Sequence, residues 1–107
     1  MSFTTTTIKA KLTVVSQPPT IQNVPIALKN TNTSITLPAG TKQFFVSARS
    51  GLAFRVAYIS GDADPSTGTF ITTNFYSSPI VSNGGSGFTL YVETNKDDDV
   101  IEVESWA

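Results

Sequence analysis

Ile35–Ile59, ITLPAGTKQFFVSARSGLAFRVAYI, is the stretch that decides how this chain folds. It reads as an edge-like strand, a Pro-Ala-Gly turn, a strand, a Ser-Gly turn and a third strand. Side chains alternate faces along a strand, so Phe44, Val46 and Ala48 share one side of the second strand. Phe45, Ser47 and Arg49 share the other. Phe54, Val56 and Tyr58 repeat the pattern against Arg55, Ala57 and Ile59. Two such runs around a Gly-containing turn read as a β-hairpin. Apolar residues on both sides place that hairpin in the middle of a sheet.

Upstream, Ile8, Ala10, Leu12 and Val14 alternate with Lys9, Lys11 and Thr13, the pattern of a half-buried strand. Thr4–Thr7 before it is β-prone but has no apolar anchor, and reads as an arm. Ser16-Gln17-Pro18-Pro19-Thr20 ends the strand, because proline cannot donate to a ladder. This linker is the expected place for the chain to cross between sheets. Val24, Ile26 and Leu28 make a further alternating strand, with Pro25 pointing to a sheet edge. Downstream, Ser60–Gly68 is rich in turn formers and reads as an exposed loop. Thr69–Tyr76 is strand-like, Ser77–Gly87 is a loop, and Phe88, Leu90 and Val92 mark another strand. Asn95–Asp99 turns the chain into a closing strand, Val100–Trp106, with Ile101 and Val103 on one side and Glu102, Glu104 and Trp106 on the other.

No window keeps helical spacing. At 107 residues the chain fits one domain. The expected fold is all-β: a single antiparallel β-sandwich, jelly-roll-like, of seven or eight strands over residues 8–107, with residues 1–7 as an arm. Leu12, Ile26, Phe44, Val46, Phe54, Val56, Leu90, Val92, Ile101 and Val103 are its expected core.

Composition removes several chemistries. The chain has neither histidine nor cysteine. Ser-His-Asp and Cys-His catalysis, disulfides and Cys-ligated metals are therefore excluded within it. No apolar run approaches the ~20 residues of a membrane helix, so no membrane role is expected. The first residues lack the basic start and apolar segment of a secretory signal, so synthesis is expected in a cytoplasm. Net charge is −1, but it is segregated: +6 through Arg55 and −7 from Asp62 onward. Paired strands can mix these charges, or opposite patches can meet between copies. Near-balanced charge is no footprint for nucleic acid, and none is expected as a partner.

Four groups of residues invite a functional reading. Asp62 and Asp64, or Asp97-Asp98-Asp99, can ligate calcium, but both runs lack the remaining positions of a calcium loop and fit ordinary turns. Glu93, Glu102 and Glu104 fall on strands expected to pair, where two carboxylates can cleave a glycosidic bond; acids on the wet face of a hairpin are the blander account. Gly84-Gly85-Ser86-Gly87 is no nucleophile elbow, since Phe88 stands where glycine is required. Tyr76, Tyr91 and Trp106 offer rings for stacking on a sugar or a nucleobase. The expectation is no catalytic residue, no cofactor and no metal.

The stretch from Ile35 to Ile59, the GDADPSTGTF loop and the FTLYVETNKDDDVIEVESWA close together resemble small all-β virion structural proteins of tailed bacteriophages, of the capsid decoration (cement) or head–tail accessory type. The resemblance implies non-enzymatic work in a symmetric particle. It implies a protein on the capsid surface, bound to major capsid protein and to copies of itself, with a trimer favoured. Candidate contact residues are Thr4, Thr5, Thr6 and Thr7 of the arm, Asn83 and Gly84 of the Ser77–Gly87 loop, and Tyr76 and Trp106. A tail or neck accessory protein and a carbohydrate-binding β-sandwich are the alternatives.

Overall fold

The computed structural model describes residues 18–79 and 87–107. Eight strands run in order: β1 (Thr20–Ile26), β2 (Thr33–Leu37), β3 (Gln43–Ala48), β4 (Phe54–Ala57), β5 (Ile71–Thr73), β6 (Phe75–Pro79), β7 (Phe88–Thr94) and β8 (Asp99–Trp106). Among the described residues there is no helix. The strands form two four-stranded sheets, β1-β8-β3-β6 and β2-β7-β4-β5, with every pairing antiparallel. β1 pairs with β8, β2 with β7, β3 with β6 and β4 with β5. One long antiparallel ribbon is thus rolled up so that its strands alternate between the sheets. That is the winding of a jelly roll.

The winding corrects the expected hairpin. β3 and β4 are both interior strands, but they belong to different sheets. Alternation is the same whether a turn closes a hairpin or carries the chain across the core. Here the turn after Ala48 crosses. Gly51 adopts φ 78°, and Ser50 is tied to β8, its N–H and hydroxyl donating to Asp99 at 3.2 and 2.7 Å. β7 and β8 are likewise no hairpin. Asn95–Asp98 carries the chain between sheets and is pinned to the β1–β2 connection: Lys29 N–H donates to Asp97 Oδ1 at 2.9 Å, and Asp98 N–H to the Ala27 carbonyl at 3.0 Å. The Asp97–Asp99 run is therefore no simple exposed tip, because Asp99 is buried.

The core lies between the sheets. Ile26, Phe44, Val46, Phe54, Val56, Leu90, Val92, Ile101 and Val103 are all buried there, joined by Ile35, Leu37 and Ala48. Leu12, the expected strand around it, the arm and the 1–7/8–107 boundary lie outside the described residues. So do Asn83 and Gly84. Leu28 does not continue β1; the strand ends at Ile26 and Leu28 is exposed. Two loop boundaries also shift. Thr69–Tyr76 divides at Asn74 into β5 of one sheet and β6 of the other. Ser77 and Ser78 are not loop residues, since they pair with Phe45 and Phe44.

Candidate functional site

Because Phe44, Val46, Ile101 and Val103 point inward, their neighbours on β1, β8, β3 and β6 build a continuous outer face. Register arranges it in rows across the sheet. Asn23, Glu102, Ser47 and Phe75 form one; Ile21, Glu104, Phe45 and Ser77 the next; Trp106, Gln43 and Pro79 the third. Diagonal neighbours in an antiparallel sheet lie within reach of aromatic side chains. Phe45 accordingly stacks on Phe75 at 5.5 Å between ring centroids and meets the edge of Trp106 at 5.2 Å. The three rings form a diagonal across β6, β3 and β8. Ile21 is 65% exposed and Phe75 56% exposed. A shallow groove of ≈ 220 Å³ runs between them, with Glu102 and Glu104 in its floor. Glu102 is held by Arg49, Nε to Oε2 3.0 Å. Glu104 is exposed and has no ion-pair partner among the described residues.

The other sheet's outer face is covered around Arg55, whereas Ser34 and Thr36 on β2 and Thr72 on β5 stay exposed. Arg55 on β4 lies directly opposite Glu93 on β7, and both are buried. The guanidinium reaches Glu93 at 3.3 Å, the Ala63 carbonyl at 2.7 Å and Asn30 Oδ1 at 2.6 Å, and also donates to Asn95 Oδ1. The Phe70 ring lies 6.0 Å from its carbon. Arg55 thus draws the Tyr58–Phe70 segment over its own sheet. This overturns the placement of Glu93 on a wet hairpin face beside Glu102 and Glu104. Glu93 belongs to the opposite sheet, so the three carboxylates do not converge.

The remaining candidates separate. Asp64 Oδ1 accepts the Ser66 hydroxyl at 2.6 Å and the Ser66 N–H at 2.8 Å, and these bonds hold its carboxyl below the usual value. It closes a turn. Among the described residues no three Asp or Glu side chains gather as a metal site. Tyr76 faces inward at the sandwich margin, 6.0 Å from Phe44, and its hydroxyl bonds that of Tyr58. Burial and that hydrogen bond push Tyr58 up to about 12. Tyr91 lies on the outer face of the other sheet, beside Ala57. Of the expected aromatic contacts, only Trp106 belongs to the exposed face. Ile21, Phe45 and Phe75 were not singled out in the sequence as site residues. The one available signal was Phe45 itself, which alternation turns away from a core already filled by Phe44. Comparison with protein families, with curated proteins and with solved structures returned no match.

Proposed function

We propose that this chain is a non-enzymatic virion structural protein of a tailed bacteriophage, one that decorates the capsid as a symmetric oligomer and stabilises it by bridging major capsid subunits. The observation that carries the reading is the outer face of the β1-β8-β3-β6 sheet, with Ile21 and Phe75 exposed beside Phe45 and Trp106. Clustered exposed apolar side chains mark interaction surfaces on small proteins. Aromatic residues suit such contacts because they bury much area for few rotatable bonds. The resemblance of the Ile35–Ile59 and Phe88–Ala107 stretches to phage virion proteins supplies the kind of particle. The jelly roll is used by capsid domains, and equally by lectins and cupins, so it supports the reading without choosing it.

Glu102 and Glu104 within the face oppose the binding of phosphate backbones. The glycan reading is weakened, since Tyr76, Tyr91 and Trp106 occupy three separate surfaces. Particle binding tests the proposal. Purified protein added to undecorated heads is expected to saturate at a fixed stoichiometry and raise their disruption temperature by mass action on the assembled state. Binding only at the portal or tail would make it an accessory protein. Binding to glycan and to no particle would end the virion reading.

A further inference from the structure

We propose that Tyr58 and Tyr76 form a modification site at which a peroxide oxidant closes a dityrosine cross-link within one chain, stapling the two sheets of the roll together. The site is separate from the aromatic outer face, and the proposal stands or fails without any capsid.

Three observations meet at this pair. First, the two rings are the middle of a four-ring row that crosses from one sheet to the other. Between ring centroids, Phe88 on β7 lies 5.6 Å from Tyr58, Tyr58 lies 6.5 Å from Tyr76, and Tyr76 lies 6.0 Å from Phe44 on β3. Tyr58 directly follows β4 of one sheet, whereas Tyr76 belongs to β6 of the other. The flanking phenylalanines hold each tyrosine against its partner, because aromatic pairs favour such tilted and edge-on contacts. Second, the two tyrosines meet through their hydroxyls, which bond each other, and their rings are inclined at 61°. The Tyr58 hydroxyl, pushed up to about 12 by burial and by that bond, keeps its proton at neutral pH. Third, few other groups compete for an oxidant. The chain has no cysteine and no histidine, one methionine, one tryptophan and three tyrosines. The third tyrosine, Tyr91, is on the outer face of its sheet and stacks on no ring among the described residues. Tyr58 is 44% exposed, which gives an oxidant access to the pair.

The chemistry follows from that geometry. Each tyrosine gives up one electron and its hydroxyl proton and becomes a phenoxyl radical. The unpaired electron spreads from oxygen to the ring carbons beside it and opposite it, and the opposite carbon is blocked by the side-chain methylene. Hydroxyls that face each other turn their ortho carbons towards one another. One carbon–carbon bond forms between two of these, the ortho hydrogens leave as protons, and both oxygens regain one. The O–O bond of the peroxide breaks, takes the two electrons and two protons, and leaves as two molecules of water. The chain is then two hydrogen atoms lighter. The biphenol formed keeps its hydroxyls side by side and its rings twisted, as the pair already stands, so the rings have only to close up. Tyr58 lies beyond the end of β4 and is free to make that move. The bond joins residues 18 apart in sequence and restricts the unfolded chain as a disulfide does.

The test treats the full chain, at low concentration, with hydrogen peroxide and a haem peroxidase. A monomer that has lost two hydrogen atoms and gained dityrosine fluorescence is expected. Cleavage at Asp62 and Asp64 is expected to leave the Tyr58 and Tyr76 peptides joined. Tyr58→Phe and Tyr76→Phe, each checked for folding by circular dichroism, are expected to abolish the monomeric product, and Tyr91→Phe to keep it. Dityrosine found only in covalent dimers, its persistence in folded Tyr58→Phe or Tyr76→Phe monomers, or its absence from the treated chain would overturn the proposal. The cross-linked monomer is also expected to unfold at least about 5 °C higher than Tyr58→Phe treated in the same way does relative to its own untreated form. An unchanged midpoint would show that the bond does not staple the sheets.

Discussion

Two side-chain networks give this fold its conditional stability. Arg55 and Glu93 are a buried ion pair, and such pairs cost desolvation that good geometry offsets. Removing one partner leaves the other charged and buried. Glu93→Ala is therefore expected to destabilise by about 3 kcal/mol in urea titration. The paired change Arg55→Met with Glu93→Leu is expected to cost less than the two single changes summed. Additive losses would mean that the charges do not sense each other. Asp99 works through pH. Its burial favours the neutral acid, but hydrogen bonds from the Ser50 hydroxyl and from the Val100 and Ser50 N–H groups outweigh that and hold its carboxyl below the usual value. A depressed value in the folded state means that the contribution is complete above the ordinary carboxylate range. It is lost as pH falls from about 4 through the folded value. Asp99→Asn is expected to lower stability at pH 7 and to flatten the acid limb of a stability–pH profile. An unchanged acid limb would show that Asp99 does not titrate with unfolding.

Strand identity was readable because burial of one face imposes period two, and nine of the ten expected core residues lie in the described core. Connectivity was not readable. RSGLA after β3 and NKDD after β7 have the composition of hairpin turns, yet both cross between sheets. Their destinations are fixed by contacts remote in sequence, Ser50 to Asp99 and Lys29 to Asp97, which no local pattern encodes. The same remoteness hid the burial of Glu93, since its partner Arg55 lies 38 residues away. The outer aromatic face was half readable: Phe45 and Trp106 follow from alternation, but their meeting with Phe75 depends on β6 joining β3. The crossing after β3 makes its own demand on the chain. Gly51 holds φ 78°, with open space where a Cβ would stand. Only backbone strain opposes a side chain there, so Gly51→Ala is expected to cost about 1–2 kcal/mol. No measurable loss in thermal unfolding would mean that the turn relaxes to a right-handed path.

The two outer surfaces of the roll have opposite fates. One is covered at Arg55 by the Tyr58–Phe70 segment; the other leaves Ile21 and Phe75 open. An exposed side chain contributes little to its own molecule, whereas the same side chain in a closed interface can dominate binding. Stability and assembly should therefore separate on this face. Ile21→Ser and Phe75→Ser are each expected to change unfolding free energy by about 1 kcal/mol or less, the Phe75 value reflecting its lost stacking on Phe45. Phe54→Ala, in the core, is expected to cost about 3–5 kcal/mol. Binding to undecorated heads should rank them the other way. Combining Ile21→Ser with Phe75→Ser is expected to lower lattice affinity at least about tenfold, a loss of about 1.4 kcal/mol. A moderately destabilised core variant should bind normally wherever it remains folded. If the doubly substituted face bound heads as tightly as the unsubstituted protein, this sheet would not be the docking surface, and the exposure of Ile21 and Phe75 would need another cause.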